Sequence, residues 1–315
     1  MTGATIRIRD VTLREGRDVP GVAFSDDARL VIADALADAG VGEIEAVAPS
    51  RALADLAFVR RWRRDRRDAR VRLTGLIYAA SARLAEEVEA AAGLLDRVEI
   101  VVPLSPVRPP RGPAKKIAAL DAALALAREA GLDAGAGFPH ALQHPRGLAE
   151  LAREAAERGA SRVVVYDTNG GADPEAVTAA IAPLAGEIGV PLWFHGHDDL
   201  GLATANALAA ARAGVRGLDV TVNGLGDRAG NASLEQVATL LALRGFQTGV
   251  DLRKLRPLSR LVERLSGVPV SGLAPIVGDF AFAHRSPGHL GALEEFEAIR
   301  PELLGAERRV EEAGP

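Results

Sequence analysis

"WFHGHDDLGLATANALAAARAG" occupies residues 193–214. Its first part is an apolar run that ends in two histidines one residue apart, His195 and His197. Its last part is alanine-rich, with apolar residues at helical spacing, and it closes on Gly214. A strand that delivers polar side chains at its C-terminal end and then feeds a helix is one β/α unit. The same unit recurs along the chain. Strand patterns fall at 5–11, 43–47, 70–77, 97–103, 132–138, 162–167, 191–197 and 217–223. Helical patterns fall at 25–39, 51–66, 80–93, 115–130, 147–158, 174–186, 199–213 and 231–244. Ser25 and Asp173-Pro174 read as helix starts. Units of roughly 30 residues repeated in this way predict an α/β fold, a (β/α)8 barrel. An open doubly wound sheet would carry a glycine-rich phosphate loop after the first strand, and "RDVTLREGR" (9–17) carries none. The barrel is expected over 1–248. A short, mainly helical extension is expected over 249–315, with helices near 252–265 and 289–298 and a frayed, charged end, "AERRVEEAGP" (306–315).

Composition narrows the chemistry. The chain has 315 residues, 48% of them hydrophobic, enough for a sizeable core. A net charge of −4 gives no general attraction to nucleic acid or to an anionic membrane, and neither is expected as a partner. With no cysteine, disulfides, thiolate metal sites and a cysteine nucleophile are excluded. No apolar run reaches ~18 residues and "MTGATIRIRD" is not a signal sequence, so a cytoplasmic location is expected.

In a parallel barrel the chemistry gathers at the C-terminal ends of the strands. Those ends carry Asp10, Thr12 and Arg14 (first strand), Glu45 (second), Asp167-Thr168-Asn169 (sixth), His195 and His197 (seventh) and Asn223 (eighth). Histidines two apart on a strand share a face. With Asp10 on an adjoining rim they make a two-histidine, one-carboxylate site for one divalent ion, and the spacing leaves Mg, Mn, Zn, Co and Fe open. Asp198 and Asp199 read first as caps of the following helix, one of them also orienting a ligand histidine.

These residues carry a family pattern. "RDVTLREGRDVPGVAFS" (9–25), "HGHDDLGLATANALAAARAG" (195–214) and "LDVTVNGLGDRAGNASLEQV" (218–237) resemble, in order, the signatures of the DRE-TIM metallolyase superfamily. "PIVGDFAFAHRSPGHLGAL" (275–293) resembles the post-barrel segment of homocitrate and isopropylmalate synthases. The resemblance implies one divalent metal ion on Asp10, His195 and His197, with Asn231 near it. It implies Arg14 beside the carbonyl of a 2-oxo acid, Glu45 and Thr168 lining the substrate pocket, and His289 as a catalytic histidine. It implies a Claisen-type condensation of an acyl-CoA, with acetyl-CoA the expected donor, with a 2-oxo acid, and a homodimer formed through the tail. Hydroxymethylglutaryl-CoA lyases use a cysteine that this chain lacks. No counterpart of the large regulatory domain of isopropylmalate synthases is present in the sequence, so leucine feedback inhibition is not expected.

The pattern also breaks. "FPHALQHPRGL" (138–148) puts Pro139 where the family has a catalytic glutamate, with His140 and His144 nearby. Phe296 stands where the family has a tyrosine. "YAASARL" (78–84) offers small residues up to Arg83, where homocitrate synthases hold a distal carboxylate. Asp18 replaces a glutamine, and Arg108 replaces a histidine. "RPPRGPAKK" (108–116) then adds a basic loop, read either as solvated or as a site for phosphate, phosphonate or the CoA diphosphate. Arg108 is accordingly a candidate substrate-binding residue. The metal set and Arg14 persist while their surroundings change, which suits an altered substrate or donor. Aldol or lyase chemistry on a related 2-hydroxy acid, and a 2-oxo acid binding protein without turnover, are the competing functions.

Overall fold

The computed structural model describes residues 3–65, 71–290 and 292–311. Eight parallel strands close into a barrel in chain order: β1 (Arg7–Asp10), β2 (Glu43–Val47), β3 (Arg72–Tyr78), β4 (Arg97–Val101), β5 (Ala134–Phe138), β6 (Val163–Asp167), β7 (Leu192–Gly196) and β8 (Gly217–Val220). β8 pairs with β1, which completes the closure expected from the sequence. Helices cover the outside: α1 (Asp26–Asp38), α2 (Leu56–Asp65), α3 (Leu84–Ala91), α4 (Pro113–Glu129), α5 (Leu148–Glu157), α6 (Pro174–Glu187), α7 (Ala203–Ala213) and α8 (Leu234–Leu243). Strands buried on both faces need near-continuous apolar runs, and "VVVYD" in β6 is one. Ser25 caps α1 by accepting from Ala28 N (3.1 Å), and Asp173 caps α6 by accepting from Ala176 N (2.8 Å). No helix among the described residues is long and apolar enough to cross a membrane.

Several boundaries move, each for a local reason. β8 stops at Val220 instead of running to Asn223: Thr221 leaves the ladder to pair with Ser233, and Asn223 has φ +58°. There the Asn223 amide bonds Ser259, so this residue serves packing and not the mouth. α7 starts at Ala203, not 199, because Asp198 spans the turn before it and accepts from Ala203 N (2.8 Å). The expected tail helix at 252–265 is a short turn followed by α9 (Leu255–Ser266), which packs against α1 and α8. The second, at 289–298, is two separate turns, Pro287–Leu290 and Leu293–Phe296. Part of the end expected to fray is fastened: Arg309–Val310 pairs with Ala283–His284 as a two-stranded ribbon. Arg66, Arg70 and residues 312–315, which fall in expected elements, lie outside the described residues.

The barrel interior is ionic. Arg9 bonds Asp219 through Nε and Nη2 (2.7 Å each) and Glu99 through Nη1 (3.0 Å), with Glu45 at 3.2 Å. Arg162 meets Glu99 at 2.8 Å and Glu43 at 2.6 Å. The Trp193 ring lies under both guanidinium groups, 5.6 and 4.3 Å from centroid to Cζ. All of these side chains are buried. Their mutual pairing offsets the cost of dehydrating so much charge. Gly217 makes room for the tryptophan, since a Cβ there would sit 2.3 Å from the indole. Arg162 precedes β6, at the end of the barrel where conservation of structure and not chemistry is the usual role. Arg162→Met should therefore remove one of the two cations at Glu99 and the nearer of the two at Glu43, and destabilise the fold by about 3 kcal/mol. Equilibrium urea unfolding checks this, and an unshifted midpoint would contradict it.

Candidate active site

A cavity of about 440 Å³ opens at the C-terminal ends of the strands. Arg14 and Glu15 line it from the segment after β1, Arg51 from beyond β2, and Tyr78 from the end of β3. Arg108 follows β4, Pro139 and His140 follow β5, Tyr166 and Thr168 flank the end of β6, His195 lies in β7, and His197 directly follows it.

The two histidines are held differently. His195 Nδ1 donates to Asp219 Oδ2 (3.0 Å), and Asp219 is in turn clamped by Arg9. Burial would raise the Asp219 carboxyl, but Arg9 and His195 outweigh it and hold the group well below the usual carboxylate range. An ionised Asp219 fixes the tautomer, so His195 Nε2 is left as a lone-pair donor atom. That atom is buried and has no partner, and His197 Nδ1 is likewise orphaned. Burial, then the neighbouring His195, push His197 down to about 3, so its ring is neutral at neutral pH.

The carboxylate that meets these rings is Glu15. One ligand atom each from Glu15, His195 and His197 lies within 4.8 Å of the others, and Glu15 Oε1 is 3.8 Å from His195 Nε2. Asp10, expected in this role, is not in that group. The chain turns helical immediately after β1, over Thr12–Glu15, and the Asp10 carboxylate accepts from Thr12 N and Thr12 Oγ1 (2.9 Å each). The same turn carries Glu15 over the histidines. Asp10 is wholly buried, and burial pushes its carboxyl up to about 7 despite the two Thr12 bonds. Asn231 is joined to His197 by a backbone bridge. Its Nδ2 donates to Leu225 O (3.2 Å), and its Oδ1 is buried without a partner. Unpartnered, buried nitrogen and oxygen acceptors on His195, His197 and the residue whose backbone pairs with His197 suit a divalent cation.

Arg14 stands beside them. Its Nε donates to Glu45 Oε1 (2.6 Å) and its Nη1 to Glu15, while Nη2 is buried and unpartnered. Glu45, expected to line the pocket, lies under Arg14 and is fully buried. Burial would raise its carboxyl, but Arg14 and Arg9 bring it below the usual range. It orients the guanidinium and does not face the cavity. Tyr166 stacks near His195 (ring centroids 4.7 Å apart), and its hydroxyl is also orphaned. Burial, then Glu45, hold that phenol well above its ordinary value, so it remains a donor.

The rim is braced by charge. Arg228 bonds Asp199 (2.8 and 2.9 Å), Asp227 (2.8 Å) and Thr168 O (2.8 Å), so Asp199 is a clamp and not a helix cap. Gly230, at φ +91°, lets this loop double back, since a Cβ there would sit 1.9 Å from Gly224 O. Thr168 lines the cavity, and its Oγ1 accepts from His140 N (2.7 Å). His289 is elsewhere. It stacks on Phe296 (centroids 4.0 Å, 16° between planes) in the tail and is not among the residues lining the cavity.

Sequence reasoning missed Glu15, Asp219 and Tyr166. Glu15 and Asp219 sit inside motifs already singled out, but only the turn after β1 and the pairing of β7 with β8 aim them at the histidines. Tyr166 reads as one more apolar strand residue, and nothing in the sequence marks its hydroxyl as unpartnered.

Comparison with known proteins gives the lineage. The HMGL-like family profile matches residues 5–262. A putative (R)-citramalate synthase of Methanopyrus kandleri is 39% identical over 96% of this chain and 61% of its own length. The (R)-citramalate synthase of Methanocaldococcus jannaschii is 35% identical over 97% and 63%. The 2-phosphonomethylmalate synthase of Streptomyces rubellomurinus is 36% identical over 96% and 82%. The chain thus spans about three-fifths of the length of the citramalate synthases it matches. Among solved structures, hydroxymethylglutaryl-CoA lyase from Pseudomonas aeruginosa superposes with a TM-score of 0.74 at 22% identity, over 85% of this chain and 95% of that one, a likeness of fold. With a family profile covering the whole barrel and relatives this similar across nearly its full length, the chain belongs to the HMGL-like family.

Proposed function

We propose that this protein is an acyltransferase that condenses an acyl-CoA, with acetyl-CoA the favoured donor, with a 2-oxo acid to give a 2-substituted malate and CoA. The observation that carries the reading is the set of orphaned polar atoms on three residues of the cavity wall, Arg14 Nη2, His195 Nε2 and His197 Nδ1, with a fourth, Asn231 Oδ1, on the residue whose backbone pairs with His197. The synthase names of the relatives support it.

In this reading His195 and His197 hold one divalent ion with Asp10 and Glu15, and Asn231 Oδ1 lies close by. When bound, the ion supplies Lewis acidity to the keto and carboxylate oxygens of the acceptor. Arg14 Nη2–H donates to the oxygen that gains charge as the carbonyl carbon is attacked, and Glu45 keeps the guanidinium fork in place. Tyr166 Oη–H offers a second donor from the cavity floor. The methyl carbon of the acyl-CoA gives up a proton to a base and bonds to the acceptor's carbonyl carbon, the carbonyl π pair passes to the oxygen that Arg14 faces, that oxygen takes a proton back, and hydrolysis of the thioester releases CoA and the carboxylate. His289 is the proposed partner for the donor or for that water. Since its own chain's cavity is not lined by it, it acts from the tail of a second copy in a homodimer, with residues 249–315 as the joining segment. Supply of acyl-CoA suits a cytoplasmic enzyme. Pro139 on the cavity wall favours one second reading, a 2-oxo acid binding protein without turnover.

Thiol release from acetyl-CoA across a panel of 2-oxo acids separates the two, and a protein without cysteine adds no background. Release is expected with one acceptor class. Arg14→Lys, which keeps the charge but loses the fork, should lower kcat by about 10²–10³-fold. Turnover in Arg14→Lys equal to that of the parent would remove Arg14 from the reaction. The metal assignment has its own readout, calorimetric titration with Mn or Zn. Asp10→Ala and His197→Ala are expected to weaken binding beyond about 100-fold, and Glu15→Gln and Asp219→Asn by about 10–100-fold. Undiminished affinity in Asp10→Ala would remove Asp10 from the ligand set and leave Glu15 as its carboxylate.

A further inference from the structure

Condensation requires a base for a carbon-bound proton, and few groups on the cavity wall can serve. Phenols and guanidinium groups hold their protons at neutral pH. Asp18 is committed to Arg51 through both oxygens (2.7 Å each), and Asp227 to Arg228 (2.8 Å). Glu15 is bonded to Arg14 and grouped with His195 and His197, whose free nitrogens are proposed to face the ion. Among the described residues of the wall, the imidazole of His140 is the base that remains. The hydrogen bonds of His140 to other described residues are made by its backbone, so its ring is uncommitted.

His140 is also held in one place. Its backbone has φ +62°, a conformation disfavoured for a residue with a Cβ and therefore imposed by its surroundings. Thr168 Oγ1 accepts from His140 N (2.7 Å), Leu104 N donates to Pro139 O (2.8 Å), and His144 N donates to His140 O (2.9 Å). β5, which precedes this turn, stands opposite β1 in a closed ring of eight strands, and Arg14 follows β1. An acceptor held beside Arg14 thus leaves the β5 side of the cavity for the methyl group that attacks it. Burial first, then Arg108 after β4, then His144 of the same turn and Lys116 of α4, keep the His140 ring below the usual imidazole range. The ring is therefore neutral, and free to accept a proton, at neutral pH.

We infer that His140 is the base that takes the methyl proton of the acyl-CoA. The inference rests on the condensing reading above and supplies the base that reading needs. The C–H bond breaks with its proton passing to the His140 ring. The freed pair, shared with the thioester carbonyl, forms the bond to the acceptor's carbonyl carbon, and the carbonyl π pair passes to the oxygen beside Arg14. That oxygen gains a proton and the imidazolium loses one, both through solvent, so the ring returns to its neutral form. His289 then keeps the hydrolytic water alone.

The test uses His140→Asn, since asparagine tolerates the left-handed backbone while removing the base, and His140→Gly, which leaves room for added imidazole. In the metal-loaded protein, His140→Asn should lower kcat for thiol release by at least about 10²-fold, and imidazole should restore His140→Gly by at least about tenfold. Acceptor affinity, read by calorimetry without acetyl-CoA, should match that of the parent in both variants. Methyl-deuterated acetyl-CoA should show a larger isotope effect on kcat in His140→Asn than in the parent. The parent's kcat should fall at acid pH as the ring protonates, below the usual imidazole range, and His140→Asn should lack that limb. Parental kcat in His140→Asn would overturn the inference and leave the condensing reading standing. A loss of kcat matched by an equal loss of acceptor affinity, without rescue by imidazole, would overturn it in favour of a structural role. No thiol release from the parent with any acceptor would remove the condensing reading, and this inference with it.

Discussion

One guanidinium organises the molecule. Arg9 fills the centre of the barrel, where an uncompensated charge would be prohibitive, and it is satisfied by carboxylates from three other strands: Asp219 of β8, Glu45 of β2 and Glu99 of β4. Two of those carboxylates also hold residues of the mouth from beneath. Asp219 fixes the ring of His195, and Glu45 fixes the fork of Arg14. The histidine pair and Arg14 are thus positioned from below by the same buried charge. Rigid support of this kind is what a site needs if its atoms are to stay preorganised.

Above that support the chain leaves a consistent set of polar atoms unsatisfied. Interiors rarely tolerate such orphans, yet Arg14, Tyr166, His195, His197 and Asn231 each present one. Together they give a hollow whose wall carries both free acceptors and free donors. That is the complement of a cation together with an oxygen-rich organic anion. The carboxylates after β1 divide the work. Asp10 folds onto Thr12 and stabilises the turn, and that turn swings Glu15 toward the imidazoles.

The tail behaves differently from the barrel. α9 packs onto the barrel, but His289, stacked on Phe296 in the tail, is not among the residues lining its own chain's cavity. Beside the mouth, the rim loops are tied to one another through Arg228 and Thr168.

The barrel was legible in the sequence because its signal is periodic. Repeated β-branched runs and amphipathic stretches leave few other ways to bury their faces, and the paired histidines needed only the two-residue period of a strand to share a side. Arg14, Thr168 and Arg108 were legible as mouth residues because strand ends in a parallel barrel face one rim. Other features depended on contacts between residues far apart in the chain. Asp219 became the support of His195 only when β8 lay beside β7, and Glu45 went under Arg14 because Arg9 and Arg14 both drew it inward. Glu15 comes within reach of the histidines because the chain makes a one-turn helix directly after β1. The sequence by itself determined the architecture and the inventory of reactive groups, through local periodicity and residue type. Which atoms are paired and which are left free was decided only by the tertiary structure, because partnership is set by distance across the closed barrel and not along the chain.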